Sequence, residues 1–174
     1  MKVTDTKIPD VKIIEPTVFK DERGYFYESF NHKKFVEAIG RSVTFLQDNH
    51  SKPSKGVFRG LHYQLPPHGQ EKLVRVVQGE IISVVLDVRE TSPTYGKWFC
   101  RHFSEDEKLS YWVPEGFAHG FLTISEFSQV VYKTSEYYMP EFEQTIKWNS
   151  RRLNIYLDEE VTLISEKDKN GIEF

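Results

Sequence analysis

Three segments of the chain carry side chains whose types suit proton transfer and the stabilisation of negative charge. The first covers residues 47–51 and 56–64, the second residues 70–74 and the third residues 113–121. They contain three histidines, of which His62 and His119 lie in the longer motifs, and a lysine, Lys72. An imidazole can take up or release a proton near neutral pH, and an ammonium group can hold a developing negative charge. These segments predict a site for acid–base chemistry.

The third segment also bears on metal binding. Pro114, Gly116 and His119 have the spacing of the second metal-ligand motif of the cupin superfamily, a resemblance that favours a jelly-roll barrel. A metal-binding cupin also needs a His-x-His pair, but the corresponding stretch at residues 62–64 reads His-Tyr-Gln. Because metals prefer three or four converging ligands, we expect no metal and a chemistry carried by protein acids and bases.

Short strands are expected to position these side chains. Residues 72–77 and 80–89 are dense in Val, Ile and Leu, which is typical of strands. The Gln78-Gly79 pair between them predicts a tight hairpin. The same strand–turn–strand rhythm recurs over residues 96–113 and 117–137. Several of these runs are apolar at nearly every position, which indicates burial on both faces.

One helix is predicted over residues 31–40. Asn31 is a good N-cap, Phe30 and Phe35 can form a hydrophobic staple across the helix start, and Gly40 fits the end. Many strands with one or two short helices predict an all-β fold. We expect a double-stranded β-helix, which is a cupin-like jelly roll, with the site in the mouth of the barrel.

Composition limits the class of protein and its partners. A length of 174 residues suits a single domain over residues 1–174. The formal net charge of −3 favours neither nucleic acid nor an anionic membrane as a partner. The single cysteine, Cys100, cannot form an intrachain disulfide, and the first ten residues are too polar for a signal peptide. We therefore expect a cytoplasmic location.

The ordered set of motifs along nearly the whole chain resembles the dTDP-4-dehydrorhamnose 3,5-epimerase family. The motifs lie at residues 19–30, 47–49, 59–64, 70–74, 92–98, 114–121, 132–134 and 165–168. The resemblance implies a cofactor-free isomerase that converts dTDP-4-dehydro-6-deoxy-D-glucose to dTDP-4-dehydro-L-rhamnose in dTDP-L-rhamnose biosynthesis. Hydrogens beside the C4 ketone of such a sugar are weakly acidic, so a base, an opposed acid and a partner for the enolate oxygen are needed.

The resemblance assigns these catalytic roles to particular residues. His62 matches the general base, and Asp168 matches the carboxylate that orients it. Lys72 matches the group that faces the C4 oxygen, and Tyr132 matches the acid on the opposite side of the sugar. His119 either supports the enolate oxygen or has a structural role.

The resemblance also implies a nucleotide-binding region and a homodimer. Arginines match diphosphate contacts, polar side chains match contacts to the thymine edge, and aromatic rings can stack on the base. The N-terminal strands of residues 1–30 are expected to cross to the partner subunit, as in a twofold dimer. The substrate-binding residues implied are Arg23, Phe26, Glu28, Gln47, Asn49, Arg59, His119 and Tyr138.

One departure from the family pattern keeps alternatives open. Ser83 stands where the family usually carries an aspartate, and the loss of an acid near the reacting centre would change the surroundings of Lys72. This allows an epimerase that inverts only C3 or only C5, or that acts on another nucleotide-linked 4-ketohexose. A non-catalytic cupin-like binding module is a third possibility, but it would not need both a base and an opposed acid.

Overall fold

Two six-stranded sheets form most of the molecule, and a computed structural model describes all of residues 1–174. The first sheet has the strand order β1-β2-β10-β7-β12-β5. The second has the order β13-β6-β11-β8-β9, with β14 parallel to the start of β6. The strands are β1 Lys2–Asp5, β2 Lys12–Glu15, β3 Phe19–Asp21, β4 Gly24–Phe26, β5 Gln47–Ser51, β6 Val57–Gln64, β7 Lys72–Gln78, β8 Glu80–Asp87, β9 Trp98–Ser104, β10 Ser110–Val113, β11 Phe117–Thr123, β12 Gln129–Thr134, β13 Glu143–Thr145 and β14 Leu163–Ile164.

Strands that follow one another in the chain mostly lie in opposite sheets. From β5 to β13, every connection crosses between the sheets except that between β8 and β9, which pair with each other. This alternation is that of a double-stranded β-helix, so the predicted jelly roll is confirmed. The predicted hairpin at Gln78-Gly79 is wrong, because β7 and β8 belong to different sheets. Gly79 does have a positive φ of 75°, but it turns the chain across the barrel.

The apolar side chains form three clusters that explain the continuous apolar runs. The central cluster lies between the sheets and includes Val74, Val85, Phe117 and Val130. A second covers the outer face of the second sheet with C-terminal residues such as Leu153. The third covers the outer face of the first sheet. Strands β8 and β11 are therefore buried on both faces, as the sequence predicts.

Helix α1, His32–Ile39, supplies the cover for the first sheet. The Asn31 side chain accepts a hydrogen bond from the Lys34 N–H, and Gly40 ends the helix with a φ of 79°. The rings of Phe30 and Phe35 lie 5.8 Å apart, as a staple requires. The helix prediction is confirmed. A second, one-turn helix, α2, covers Glu166–Lys169.

The N-terminal β3–β4 hairpin belongs to neither large sheet. Its aromatic side chains are unusually exposed: 61% for Phe19, 57% for Tyr25 and 69% for Phe26. Neither helix of the protein has the length and apolar character needed to cross a bilayer.

Candidate active site

A cavity of about 470 Å³ opens between the two sheets. Strand alternation directs polar residues into it, because side chains two positions apart share a face. Lys72 precedes the core residue Val74 by two positions, and Tyr132 follows the core residue Val130 by two. The cavity is lined by Gln47, Asn49, His50, Ser51, Arg59, His62, Gln70, Lys72, His119, Gly120, Phe121, Tyr132, Thr134, Tyr138, Glu143 and Lys167.

His62 and Asp168 form a hydrogen-bonded pair at the cavity wall. The His62 Nε2 lies 2.6 Å from the Asp168 Oδ1, and the other carboxylate oxygen accepts from the Gly60 N–H at 3.2 Å. Ser165 caps α2 by accepting from the Asp168 N–H, which holds the carboxylate in place. Burial raises the pKa of Asp168, but the bonds from His62 and Gly60 outweigh it, and the pKa lies below its usual value.

The ionised Asp168 decides which nitrogen of His62 is free. A carboxylate can only accept hydrogen bonds, so His62 must donate through Nε2–H. Neutral imidazole carries one proton, so Nδ1 keeps its lone pair. His62 lines the cavity and can accept a proton there.

Lys72 brings a nearly buried ammonium group beside this base. The side chain is 7% exposed, and its Nζ donates to the His62 carbonyl oxygen at 3.0 Å. Burial lowers the pKa of Lys72 to about 8, against the opposing effect of the Glu143 carboxylate. A poorly solvated cation of this kind attracts a developing oxyanion much more strongly than one in water.

Tyr132 enters the cavity from the other sheet. It lies on β12 of the first sheet, whereas His62 lies on β6 of the second. Burial raises the pKa of the Tyr132 phenol, so its hydroxyl keeps its proton at neutral pH. A group that can accept a proton and a group that can donate one therefore line the same cavity from different sheets.

His119 lies on β11 directly across from His62. Its Nε2 is 2.9 Å from the Tyr111 hydroxyl and 3.4 Å from the Ser83 hydroxyl. Burial, together with the charges of Lys72 and His62, holds the pKa of His119 well below its usual value. The ring is therefore neutral, and Ser83 is part of its immediate surroundings.

The remaining predicted residues that line the cavity are suited to a polar ligand. The Gln47 amide bridges the Tyr138 N–H and the Asn49 side chain, at 3.0 and 2.9 Å. The Arg59 guanidinium lines the cavity and takes part in no ion pair within the chain. The buried Ser51 hydroxyl has no hydrogen-bond partner. An unpaired guanidinium in the cavity favours an anionic ligand.

Two charged residues of the cavity wall, Glu143 and Lys167, were not among the predicted site residues. Glu143 accepts from the Tyr138 hydroxyl at 2.8 Å and forms an ion pair with Lys167. Burial raises the pKa of Glu143, but hydrogen bonds from Lys167 and Tyr138 outweigh this effect. The pKa therefore lies below its usual value, and the carboxyl stays ionised. Lys167 could have been found from its place next to Asp168 in the motif of residues 165–168. Glu143 lies outside every motif, so only the pairing of β13 with β6 reveals it.

Three predicted substrate-binding residues do not line the cavity of their own chain. Arg23 forms an ion pair with Asp21 on the exposed hairpin, where Phe26 also lies. Glu28 bonds to Lys34 and Asn31 at the start of α1. No three His, Cys, Asp or Glu side chains converge as a metal site would require.

The sequence and the fold are similar to those of known proteins. The sequence model of a family described as dTDP-4-dehydrorhamnose 3,5-epimerase matches residues 5–174. A relative from Shigella flexneri, named dTDP-4-dehydrorhamnose 3,5-epimerase, is 53% identical over 174 residues, which cover 100% of this chain and 96% of the relative.

Two solved structures share the fold over nearly their whole length. One is dTDP-4-dehydrorhamnose 3,5-epimerase from Elizabethkingia anophelis, with a TM-score of 0.95 and 46% identity over 100% of this chain and 96% of the other. The second is dTDP-6-deoxy-D-glucose-3,5-epimerase from Legionella pneumophila, in complex with dTDP-4-keto-L-rhamnose. Its TM-score is 0.92, with 44% identity over 98% of this chain and 90% of the other.

Proposed function

The chain belongs to the dTDP-4-dehydrorhamnose 3,5-epimerase family, and from this premise we propose that it is an isomerase of the same activity. It converts dTDP-4-dehydro-6-deoxy-D-glucose to dTDP-4-dehydro-L-rhamnose, a step of dTDP-L-rhamnose biosynthesis. The observation that carries the proposal is the placement of His62 and Tyr132 on different sheets that line one cavity, with Lys72 beside the base.

The first step is removal of a proton beside the C4 ketone. The Nδ1 of His62 takes the proton from carbon, and the Asp168 carboxylate stabilises the imidazolium that forms. The electron pair of the broken C–H bond moves to the C4 oxygen to give an enolate. The Lys72 ammonium and the neutral His119 ring are the cavity groups suited to hold that oxygen.

The second step returns a proton to the opposite face of the same carbon. Tyr132 donates its hydroxyl proton, and the C4 carbonyl forms again as the electron pair moves back to carbon. The phenolate regains a proton from solvent, and His62 releases its proton to solvent. Carrying out this sequence at C3 and at C5 inverts both centres without a cofactor.

Binding of the nucleotide diphosphate is proposed for the polar side chains around the catalytic group. Arg59 lacks an anionic partner in the chain, and a guanidinium fork matches phosphate oxygens. Gln47, Asn49 and Tyr138 form a hydrogen-bonded group on the same cavity and are proposed to bind the nucleoside or the sugar.

A twofold dimer would complete the site. Phe19 and Phe26 expose large apolar surfaces on the β3–β4 hairpin, and such surfaces favour burial against another chain. We propose that the hairpin crosses to the partner subunit, where Arg23, Phe26 and Glu28 contact the substrate. A cytoplasmic location stays a prediction.

Hydrogen exchange tests the proposed activity. The protein is incubated in heavy water with dTDP-4-keto-6-deoxyglucose, and NMR follows deuterium entering C3 and C5 together with the product configuration. Wild type should exchange and invert both carbons, whereas His62→Ala should lose exchange by a factor of about 10² or more. His102→Ala is the matched control, because His102 is exposed and pairs with Asp158 away from the cavity. Undiminished exchange in His62→Ala would contradict the assignment of the base.

The same spectra address a second candidate function. Ser83 contacts His119 where the family usually has an aspartate, which motivates an epimerase acting at one carbon only or on another nucleotide-linked 4-ketohexose. Exchange confined to C3 or to C5 would favour a single inversion. Equal exchange at both positions would support the double inversion.

A further inference from the structure

A buried hydrogen-bonded group stands behind His119, and the two catalytic steps above make no use of it. The Tyr111 and Ser83 side chains are both 0% exposed. Their hydroxyls lie 2.9 and 3.4 Å from the His119 Nε2. His119 itself lines the cavity, so its ring connects the buried Tyr111 and Ser83 hydroxyls to the cavity.

The count of donors and acceptors in this group selects one arrangement of protons. If Tyr111 donates to the single lone pair of the His119 Nε2, Ser83 can donate to the Tyr111 oxygen, and both hydroxyl protons have acceptors. If Nε2 carried the proton instead, Tyr111 would donate to Ser83, and the Ser83 proton would have no acceptor among its contacts. Buried donors are rarely left without an acceptor. The first arrangement is therefore favoured.

The chosen arrangement fixes the chemistry that His119 offers to the cavity. With Nε2 accepting from Tyr111, the single ring proton resides on Nδ1. That nitrogen makes no hydrogen bond within the chain, and it is not among the buried polar atoms that lack a partner. It is therefore accessible from the cavity as a free donor. An aspartate at position 83 would instead accept a hydrogen bond from Nε2 and so favour a proton on that nitrogen. With serine at this position, the hydrogen bond from Tyr111 determines which nitrogen carries the proton.

We propose that Tyr111, assisted by Ser83, is a positioning residue that holds His119 in its neutral Nδ1–H form, so that this N–H donates to the C4 oxygen of the substrate beside Lys72. The inference rests on the proposed function. A neutral donor suits the place, because a second cation next to the Lys72 ammonium would be repelled, and burial disfavours imidazolium further. Two donors would then meet the enolate oxygen as its charge develops.

NMR of protein labelled with ¹⁵N in histidine tests the proton position directly, because protonated and unprotonated ring nitrogens have well-separated shifts. The signals of His119 among the six histidines are assigned with His119→Gln. At pH 7 the wild type should show a protonated Nδ1 and an unprotonated Nε2. In Tyr111→Phe the two forms should become mixed. A protonated Nε2 in wild type would overturn the proposal.

Kinetics provide the second readout. The Tyr111 ring stacks on Phe103 at 4.4 Å, and phenylalanine preserves that ring while removing only the hydroxyl. Tyr111→Phe should lower kcat for deuterium exchange about 10- to 100-fold with KM within about twofold, because the lost interaction acts on the enolate. Tyr63→Phe, the same change on the outer face of β6, serves as control and should leave both constants unchanged.

The outcomes separate the two proposals. If wild type catalyses no exchange at all, the proposed function fails. If wild type exchanges while Tyr111→Phe retains full kcat, or loses activity only through KM, the positioning role of Tyr111 fails and the function stands.

Discussion

Replacing Asp168 with asparagine keeps the size of a 3%-exposed side chain, but removes its negative charge and turns one accepting oxygen into a donating NH₂. The carboxylate accepts from two donors, the His62 Nε2–H and the buried Gly60 N–H. An asparagine offers one accepting oxygen and one donating NH₂. If the oxygen stays with Gly60, the NH₂ faces the His62 Nε2 and forces the ring proton onto Nδ1. That is the nitrogen needed to accept the proton from the sugar.

The size of the effect follows from these two contacts. If the asparagine amide rotates so that its oxygen accepts from the His62 Nε2–H, the original proton position on His62 is restored. The Gly60 N–H then faces the NH₂ donor and loses its hydrogen bond, which costs about 1–3 kcal/mol. The imidazolium formed during the reaction also loses a hydrogen bond to a charged acceptor, about 1.5–3 kcal/mol. Together, about 2.5–6 kcal/mol corresponds to a loss of about 10²–10⁴-fold in the rate of proton removal.

The assay is the initial rate of deuterium entry at C3 and C5, measured for wild type and Asp168→Asn under saturating substrate. Asp158→Asn is the matched control, because it removes a carboxylate from the exposed His102–Asp158 pair and should not alter the rate. Thermal unfolding of each variant checks that the barrel is retained. A rate for Asp168→Asn within tenfold of wild type, with the fold intact, would refute the reasoning.

Two further predictions concern the acid and the cation. In Tyr132→Phe, His62 can still remove a proton and return one to the same face of the sugar. NMR should therefore show deuterium entering with retained configuration, while the rate of inversion falls about 10²-fold or more. Inversion at the wild-type rate would contradict the role of Tyr132 as the acid. For Lys72, the ammonium is the useful form and its pKa is lowered to about 8, so kcat/KM should fall as pH rises through about 8. Lys72→Arg should move that decline to higher pH, since a guanidinium stays charged there, and an unmoved decline would point to another group.

Local patterns in the sequence were sufficient for the helix and for most strands. Asn31 and Gly40 act within one turn of the chain, so their effect can be predicted without the rest of the fold. The hairpin at Gln78-Gly79 was predicted wrongly because a glycine with positive φ specifies a turn of the backbone. It does not specify whether the next strand pairs with the last one or crosses to the facing sheet. That choice depends on contacts far apart in the sequence.

The candidate site divides in the same way. The resemblance of the motifs to the family predicted residues that the cavity brings together, such as His62, Lys72 and Tyr132. Glu143 was missed because an acidic residue at the first position of a short strand carries no local signal. Arg23 and Phe26 lie outside the cavity of their own chain, and a single sequence cannot indicate by its composition which surface a second copy would cover.

Strands that alternate between the two sheets also have a consequence for how the protein acquires its shape. Ser51 pairs with Val130, and the His62–Asp168 contact joins residues separated by 106 positions. Contacts between such distant partners require large loops to close first, which slows folding relative to proteins built from local hairpins. No stretch of neighbouring strands encloses the cavity by itself. Closure of the barrel and the gain of catalytic competence are therefore expected to be one cooperative event.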